Sequence, residues 1–262
     1  MKRLLLLLIV AVALIAAAVG VWRVSQSRDA STSVDGKRAV VLAGAPARTN
    51  TSDPGLRPEA GTYAYTGSGT ESISLLGGSS REFPNDIYGV VELGDTGACA
   101  WTLNLVFVEE HVEERRYCTD VRGVRDQGFS RTTVFLGREQ TSAYECGDAA
   151  MRIQANEAVG SSWQWSCTEA RGGVVRYRAT LVGTRPIEID GVRAPASHVR
   201  IVATQRDKSR GDERSDWWLL ATGLPARVRS SRTLTTDAGP LGDMTTTEAY
   251  EYELASLVPA RS

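Results

Sequence analysis

The chain has 262 residues, 42% of them hydrophobic and 23% charged, a globular composition rather than that of a disordered polypeptide. Its 30 basic and 31 acidic residues nearly cancel, so the electrostatic footprint of a nucleic-acid binder is missing. Lysine occurs only at Lys2, Lys37 and Lys208, and the resulting arginine bias, with abundant alanine, glycine and valine, reads as GC-rich coding.

In chain order, residues 1–3 form a basic n-region ahead of the apolar run Leu4–Trp22. At about 1.5 Å per residue a helix of that length crosses the roughly 30 Å of bilayer hydrocarbon. The expectation is a transmembrane signal-anchor over 4–22 with everything after it outside the cytoplasm. Ala16–Ala18 supplies a small-x-small site, so a cleaved signal peptide and a secreted chain are the alternative. With no cysteine near the end of this segment, a lipid-modified N-terminal cysteine cannot form. Residues 23–60 are rich in Ser, Thr, Ala, Gly and Pro without sustained periodicity, and are expected to be a flexible linker.

From 61 to 259 the apolar residues recur at period two. Examples are Tyr63 and Tyr65; Trp101, Leu103, Leu105 and Phe107; Trp163 and Trp165; Val175, Tyr177 and Ala179; and Val199, Ile201 and Ala203. Turn residues punctuate them, among them Gly77-Gly78, Gly172-Gly173 and Asp190-Gly191, the last a two-residue hairpin signal. The expected fold is all-β: one curved antiparallel sheet, as a half-barrel or open barrel, with at most one or two short helices. The segment Ala149 to Val159 is the expected helix. Val199–Thr204 and Trp217–Thr222 are expected to flank a long hairpin whose charged tip, Gln205–Asp216, carries Arg210-Gly211-Asp212.

Cys99, Cys118, Cys146 and Cys167 all lie beyond the apolar run, and an even count outside the cytoplasm predicts two disulfides. Of three connectivities, Cys99 with Cys118 and Cys146 with Cys167 is expected, because each pair flanks a stretch that can fold as a hairpin. None has C-x-x-C spacing, and His111 and His198 have no ligand partner at close spacing, so neither a metal nor another cofactor is expected.

Glu109, Glu110, His111, Glu113 and Glu114 are the densest ionisable set. On a strand, neighbours point to opposite faces, so this run reads as an exposed edge or hairpin end rather than as an acid–base site. Arg115 and Arg116, and Arg227, Arg229 and Arg232, read as solvated strand faces. No nucleophile elbow, phosphate loop or dinucleotide fingerprint sits between a strand and a helix, so no catalytic residue is assigned. Trp217 and Trp218 must send one ring to each face of a strand, so one of them is expected to be exposed or to line a concavity. Together with Trp101 they are the candidate ligand-facing aromatics.

Several short motifs in order carry a resemblance: Gly61-Thr62-Tyr63-Ala64-Tyr65, Arg81-Glu82-Phe83-Pro84, Tyr144-Glu145-Cys146, Trp217 followed by Gly223-Leu224-Pro225, and Ser256-Leu257-Val258-Pro259. Over about Gly61 to Pro259 the chain resembles a family of actinobacterial secreted or membrane-anchored envelope proteins. In strand pattern it is similar to lipoprotein-carrier and glycolipid-carrier half-barrels. The resemblance implies an apolar cavity and a lipid or other apolar envelope ligand; it implies no catalytic residues. Two readings follow: a membrane-anchored module binding such a ligand, or a structural or protein-interaction ectodomain whose sheet is fully packed.

Overall fold

The computed structural model describes residues 56–260 apart from 75–76, 95–96, 136, 171, 207–208, 238 and 240–241. The expected membrane segment, and all but the end of the expected linker, lie outside the described residues.

Period-two burial builds the domain. In β1 (Gly61–Ile73) Tyr63, Tyr65, Glu71 and Ile73 are buried while the residues between them are not. β2 (Ser79–Phe83) and β3 (Asp86–Leu93) follow, then β4 (Ala100–Val108), which buries Trp101, Leu103, Leu105 and Phe107 on one face. β5 (His111–Asp120), β6 (Gly123–Phe135), β7 (Arg138–Cys146), β8 (Met151–Gln154) and β9 (Ser162–Glu169) come next. The long hairpin strands β10 (Val174–Ile189) and β11 (Val192–Arg206) lead to β12 (Ser209–Leu220), β13 (Pro225–Asp237) and β14 (Asp243–Leu254).

All pairings are antiparallel, in the order β14-β13-β12-β11-β10-β9-β7-β6-β5-β4-β3-β1. β1 then pairs back onto β14 from Tyr65↔Leu254 to Ile73↔Thr246, so the sheet closes as a 12-strand barrel. β2 continues the β3 side of β1, and β8 adds to β6. The all-β expectation holds, and the open or half-barrel alternatives give way to closure, which leaves no free edge in the main ring.

The Asp190-Gly191 turn joins Ile189 to Val192 with φ of 49° and 73°, the two positive values that a tight hairpin with right-handed strand twist requires. Two expectations are corrected. Residues 149–159 are not helical: Met151–Gln154 pairs with β6, because an extended strand turns Arg152 inward to meet Asp126, and the run ends at Asn156 with φ 61°. The expected long hairpin does form, β11 pairing with β12 from Ala196↔Leu220 to Arg206↔Arg210, but most of the polar stretch 205–216 lies in its strands rather than at its tip. Arg210, Gly211 and Asp212 lie in the β11–β12 ladder, where outward ion pairs such as Arg206–Asp212 at 3.1 Å accommodate the charge.

The core spans the barrel from wall to wall. β5 and β12 stand six places apart around the ring of 12, yet the Arg115 guanidinium lies 5.0 Å from the centre of the Trp217 ring. Phe107 of β4 meets Tyr250 of β14 at 4.9 Å between centroids, and Gln205 Nε2 of β11 donates to the Tyr144 hydroxyl of β7 at 3.0 Å. At one end Gly223, φ 89°, tucks the β12–β13 turn against Trp101 and Val124, and the Thr119 hydroxyl donates to the Thr222 carbonyl at 3.0 Å.

Candidate functional site

The inward phase of several strands carries charge instead of apolar side chains, and register places that charge in a transverse row. Arg81, Glu71, Glu248, Arg232 and Glu213 are successive cross-strand partners on β2, β1, β14, β13 and β12. Opposite charges alternate along it, as cross-strand pairing favours, except at the closing seam. There Glu71 and Glu248 stand directly opposite each other, both essentially excluded from solvent.

Arginines hold one oxygen, Oε2, of each seam carboxylate. Arg81 Nη2 donates to Glu71 Oε2 at 2.6 Å, and Arg232 Nη2 to Glu248 Oε2 at 2.6 Å. His111, fully buried between Phe83 and Phe107, reaches the seam from β5, three places round the ring from β1. Its Nδ1 lies 3.2 Å from Glu71 Oε2, and its Nε2 stands 3.7 Å from Glu113 Oε1 and 4.0 Å from Glu248 Oε1. Glu113 is in turn held by Arg131 and, at 3.0 Å, by Arg115.

Each titration shift has a physical cause. Burial alone disfavours charge on His111, but the Glu113 carboxylate 3.7 Å away, the hydrogen bond to Glu71 and the Glu248 charge outweigh it, lifting its pKa to about 9. For Glu71 the burial penalty is overcome by His111 and Arg81, so its carboxyl sits below its ordinary value. Glu113, facing Arg131 and Arg115, is held well below the carboxylate range against its own burial. Burial dominates at Glu248 and Glu213 and pushes both upward. A second buried pair, Arg152 with Asp126 at 2.7 and 2.9 Å, lies under Trp217, whose ring centre is 4.4 Å from the guanidinium.

The expectation of an exposed edge at residues 109–114 is therefore corrected. Glu109 and Glu110 are exposed at a turn and Glu114 faces outward, but His111 and Glu113 point inward, because β5 is an interior strand of a closed ring. Arg115 and Arg232 likewise leave the solvated class for the interior network, while Arg116, Arg227 and Arg229 stay on the outer face, paired to Glu145, Glu253 and Glu251.

The candidate aromatics are all buried. Trp101 donates to Thr119 Oγ1 at 2.9 Å, and Trp217 donates to Ser215 Oγ at 2.8 Å. Trp218 does take the outer face, yet it is only 8% exposed, because its cross-strand neighbours cover it. His198 stacks on the ring at 4.3 Å, itself fixed by Asp216 at 2.7 Å, and Arg227 lies 5.5 Å from the ring centre. The two rings do go to opposite faces, as expected, but neither is exposed: on the outer face the partner strands supply a lid that a single-strand reading cannot see.

Cys99 is bridged to Cys118 and Cys146 to Cys167, with Cα–Cα separations of 4.6 and 4.1 Å. Beside both bridges lies a cleft of about 420 Å3, with Arg116, Arg125, Glu145 and Asp148 among its lining residues. Its walls carry both signs of charge.

The chain matches no protein-family model and no curated protein sequence. Among solved structures it is similar to the hypothetical lipoprotein YmcC of Escherichia coli, at 13% identity and TM-score 0.32, over 74% of this chain and 85% of that one. It is also similar to a DUF1329 family protein of Desulfovibrio piger, at 11% identity and TM-score 0.17, over 74% of this chain and 84% of that one.

Proposed function

We propose that the barrel is an extracytoplasmic envelope module that works through its outer surface, as a structural or protein-interaction ectodomain, with an interior given over to packing. The carrying observation is the contact of opposite walls: Arg115 of β5 lies on Trp217 of β12, the strand diametrically across the ring. A lipid carrier needs that volume for acyl chains, since ligand pockets run to roughly 300–1,000 Å3 lined mainly by apolar groups. Here the space holds rings and paired charges. The two disulfides support the compartment, because such bridges persist outside the reducing cytoplasm.

The mixed-charge cleft beside the bridges is a concave surface on a covalently stapled frame, suited to a polar segment of a partner. Native mass spectrometry of the full chain after gentle extraction tests the reading. A mass that includes no lipid, with or without a bound protein, is expected; a retained lipid would restore the carrier reading.

A further inference from the structure

The seam of the barrel contains an arrangement that packing alone leaves unexplained. Two glutamates directly opposite on adjacent strands repel, and burial strengthens that repulsion by removing water. Glu71 and Glu248 are such a pair, 1% exposed each. Their Oε2 atoms are taken by Arg81 and Arg232, but Glu71 Oε1 and Glu248 Oε1 have no hydrogen-bond partner among the described residues. A third buried polar atom without one, His111 Nε2, belongs to the residue that faces them.

Unpaired buried polar atoms each cost on the order of 1–3 kcal/mol, so three on neighbouring residues mark a site that something completes. One ligand-capable atom from each of Glu71, His111 and Glu248 lies within 4.8 Å of the others. Glu113 Oε1, 3.7 Å from His111 Nε2, stands beside the set.

We propose that Glu71, His111 and Glu248 form a structural site for one divalent transition-metal ion of the zinc or manganese type, clamped across the β1–β14 seam from β5. An imidazole nitrogen with carboxylate oxygens suits ions of that class. Bonds of about 2.0–2.2 Å bring ligand atoms to roughly 3–3.5 Å from one another, so the side chains close in by on the order of 1 Å when the ion enters. Arg81 and Arg232 fix the Oε2 atoms of the two carboxylates and so orient them, as hydrogen-bonding partners behind metal ligands do. The ion would bridge the first and last strands of the ring, so its role is to lock closure. This inference does not depend on whether the outer surface docks a partner.

The competing occupant is a proton: an imidazolium at His111 would also relieve the carboxylates. The test uses full-length protein from cells grown with added Zn2+, its metal content read by elemental mass spectrometry and its histidine ring nitrogens by 15N NMR. About one Zn2+ per chain, with one His111 nitrogen metallated, is expected. His111→Gln and Glu248→Gln should each lower affinity by at least about 100-fold, because losing a ligand exceeds the 10–100-fold cost of losing an outer partner. Folded wild-type protein with less than about a tenth of an equivalent of metal and both His111 nitrogens protonated would overturn the proposal. So would unchanged Zn2+ content in either folded variant, which would reveal an adventitious ion elsewhere.

Discussion

Replacing Arg152 by methionine probes whether the interior charges hold the walls together. The substitution keeps a long apolar stem but leaves the Asp126 carboxylate, 7% exposed, without the two hydrogen bonds it receives at 2.7 and 2.9 Å. Removing one member of a buried ion pair costs about 3–5 kcal/mol. The cation–π contact with Trp217 at 4.4 Å adds about 1 kcal/mol, part of which the thioether recovers against the ring. We expect a net loss of about 4 kcal/mol, which at roughly 2–4 °C per kcal/mol for a domain of this size lowers the midpoint by about 8–16 °C. Thermal and urea unfolding followed by far-UV circular dichroism, with the disulfides intact, measures it. Asp126→Asn on that background removes the stranded charge and should restore at least about 2 kcal/mol. A single-variant loss below about 1 kcal/mol, or a double variant no better than the single, would refute the assignment of this pair as a buried ion pair between β8 and β6 that seats Arg152 against Trp217.

Other consequences are as direct. Replacing Cys146 and Cys167 by serine opens a loop of 21-residue separation and should cost about 3 kcal/mol in urea titrations, a loss that added reductant does not deepen at that bridge. Gly211→Val drives a side chain into the Thr233 carbonyl across the β12–β13 ladder, and its thermal midpoint should fall by several degrees, whereas Gly183→Ala meets open space and should leave it unchanged. Alkali should unfold the barrel: burial raises Tyr63 to about 12 and lifts Tyr65, Tyr250 and Tyr252 well above 10. A group whose folded pKa exceeds its unfolded value gives its full contribution below the unfolded pKa, near 10, and loses it as pH rises through the folded one. Urea midpoints should therefore fall between about pH 10 and 12, with the absorbance of the buried tyrosinates appearing at unfolding; ionisation of Tyr63, Tyr65, Tyr250 or Tyr252 in the folded chain would contradict the burial of these hydroxyls.

Much of the fold could be read from alternation. The phase of Tyr63 and Tyr65, or of Trp101 to Phe107, names the inward face directly, and the Asp190-Gly191 turn sets the register of the β10–β11 hairpin. Closure could not be read, because the pairing of β1 with β14 joins residues that are far apart in sequence, and local pattern says nothing about which edges meet. The same distance hid the charged row. Its signal was nevertheless present: Glu71 continues the phase of Tyr63 and Tyr65, Glu248 that of Tyr250 and Tyr252, and His111, Glu113 and Arg115 that of Tyr117. A charged residue in the phase of buried tyrosines is an interior group awaiting a partner from another strand. Reading residues 109–116 as one run of charge, rather than as two alternating faces, assigned the inner face to solvent.

The central claim is a closed ring whose first and last strands are hydrogen-bonded through the seam that carries Glu71 and Glu248. Native-state hydrogen exchange resolved by residue tests it most directly. We predict that the amides of residues 67–71 and 248–252 exchange as slowly as those of β12 and β13, opening only with global unfolding. Fast exchange at the outward-bonded amides of β1 and β14, with the rest of the sheet protected, would describe an open half-barrel and contradict the account.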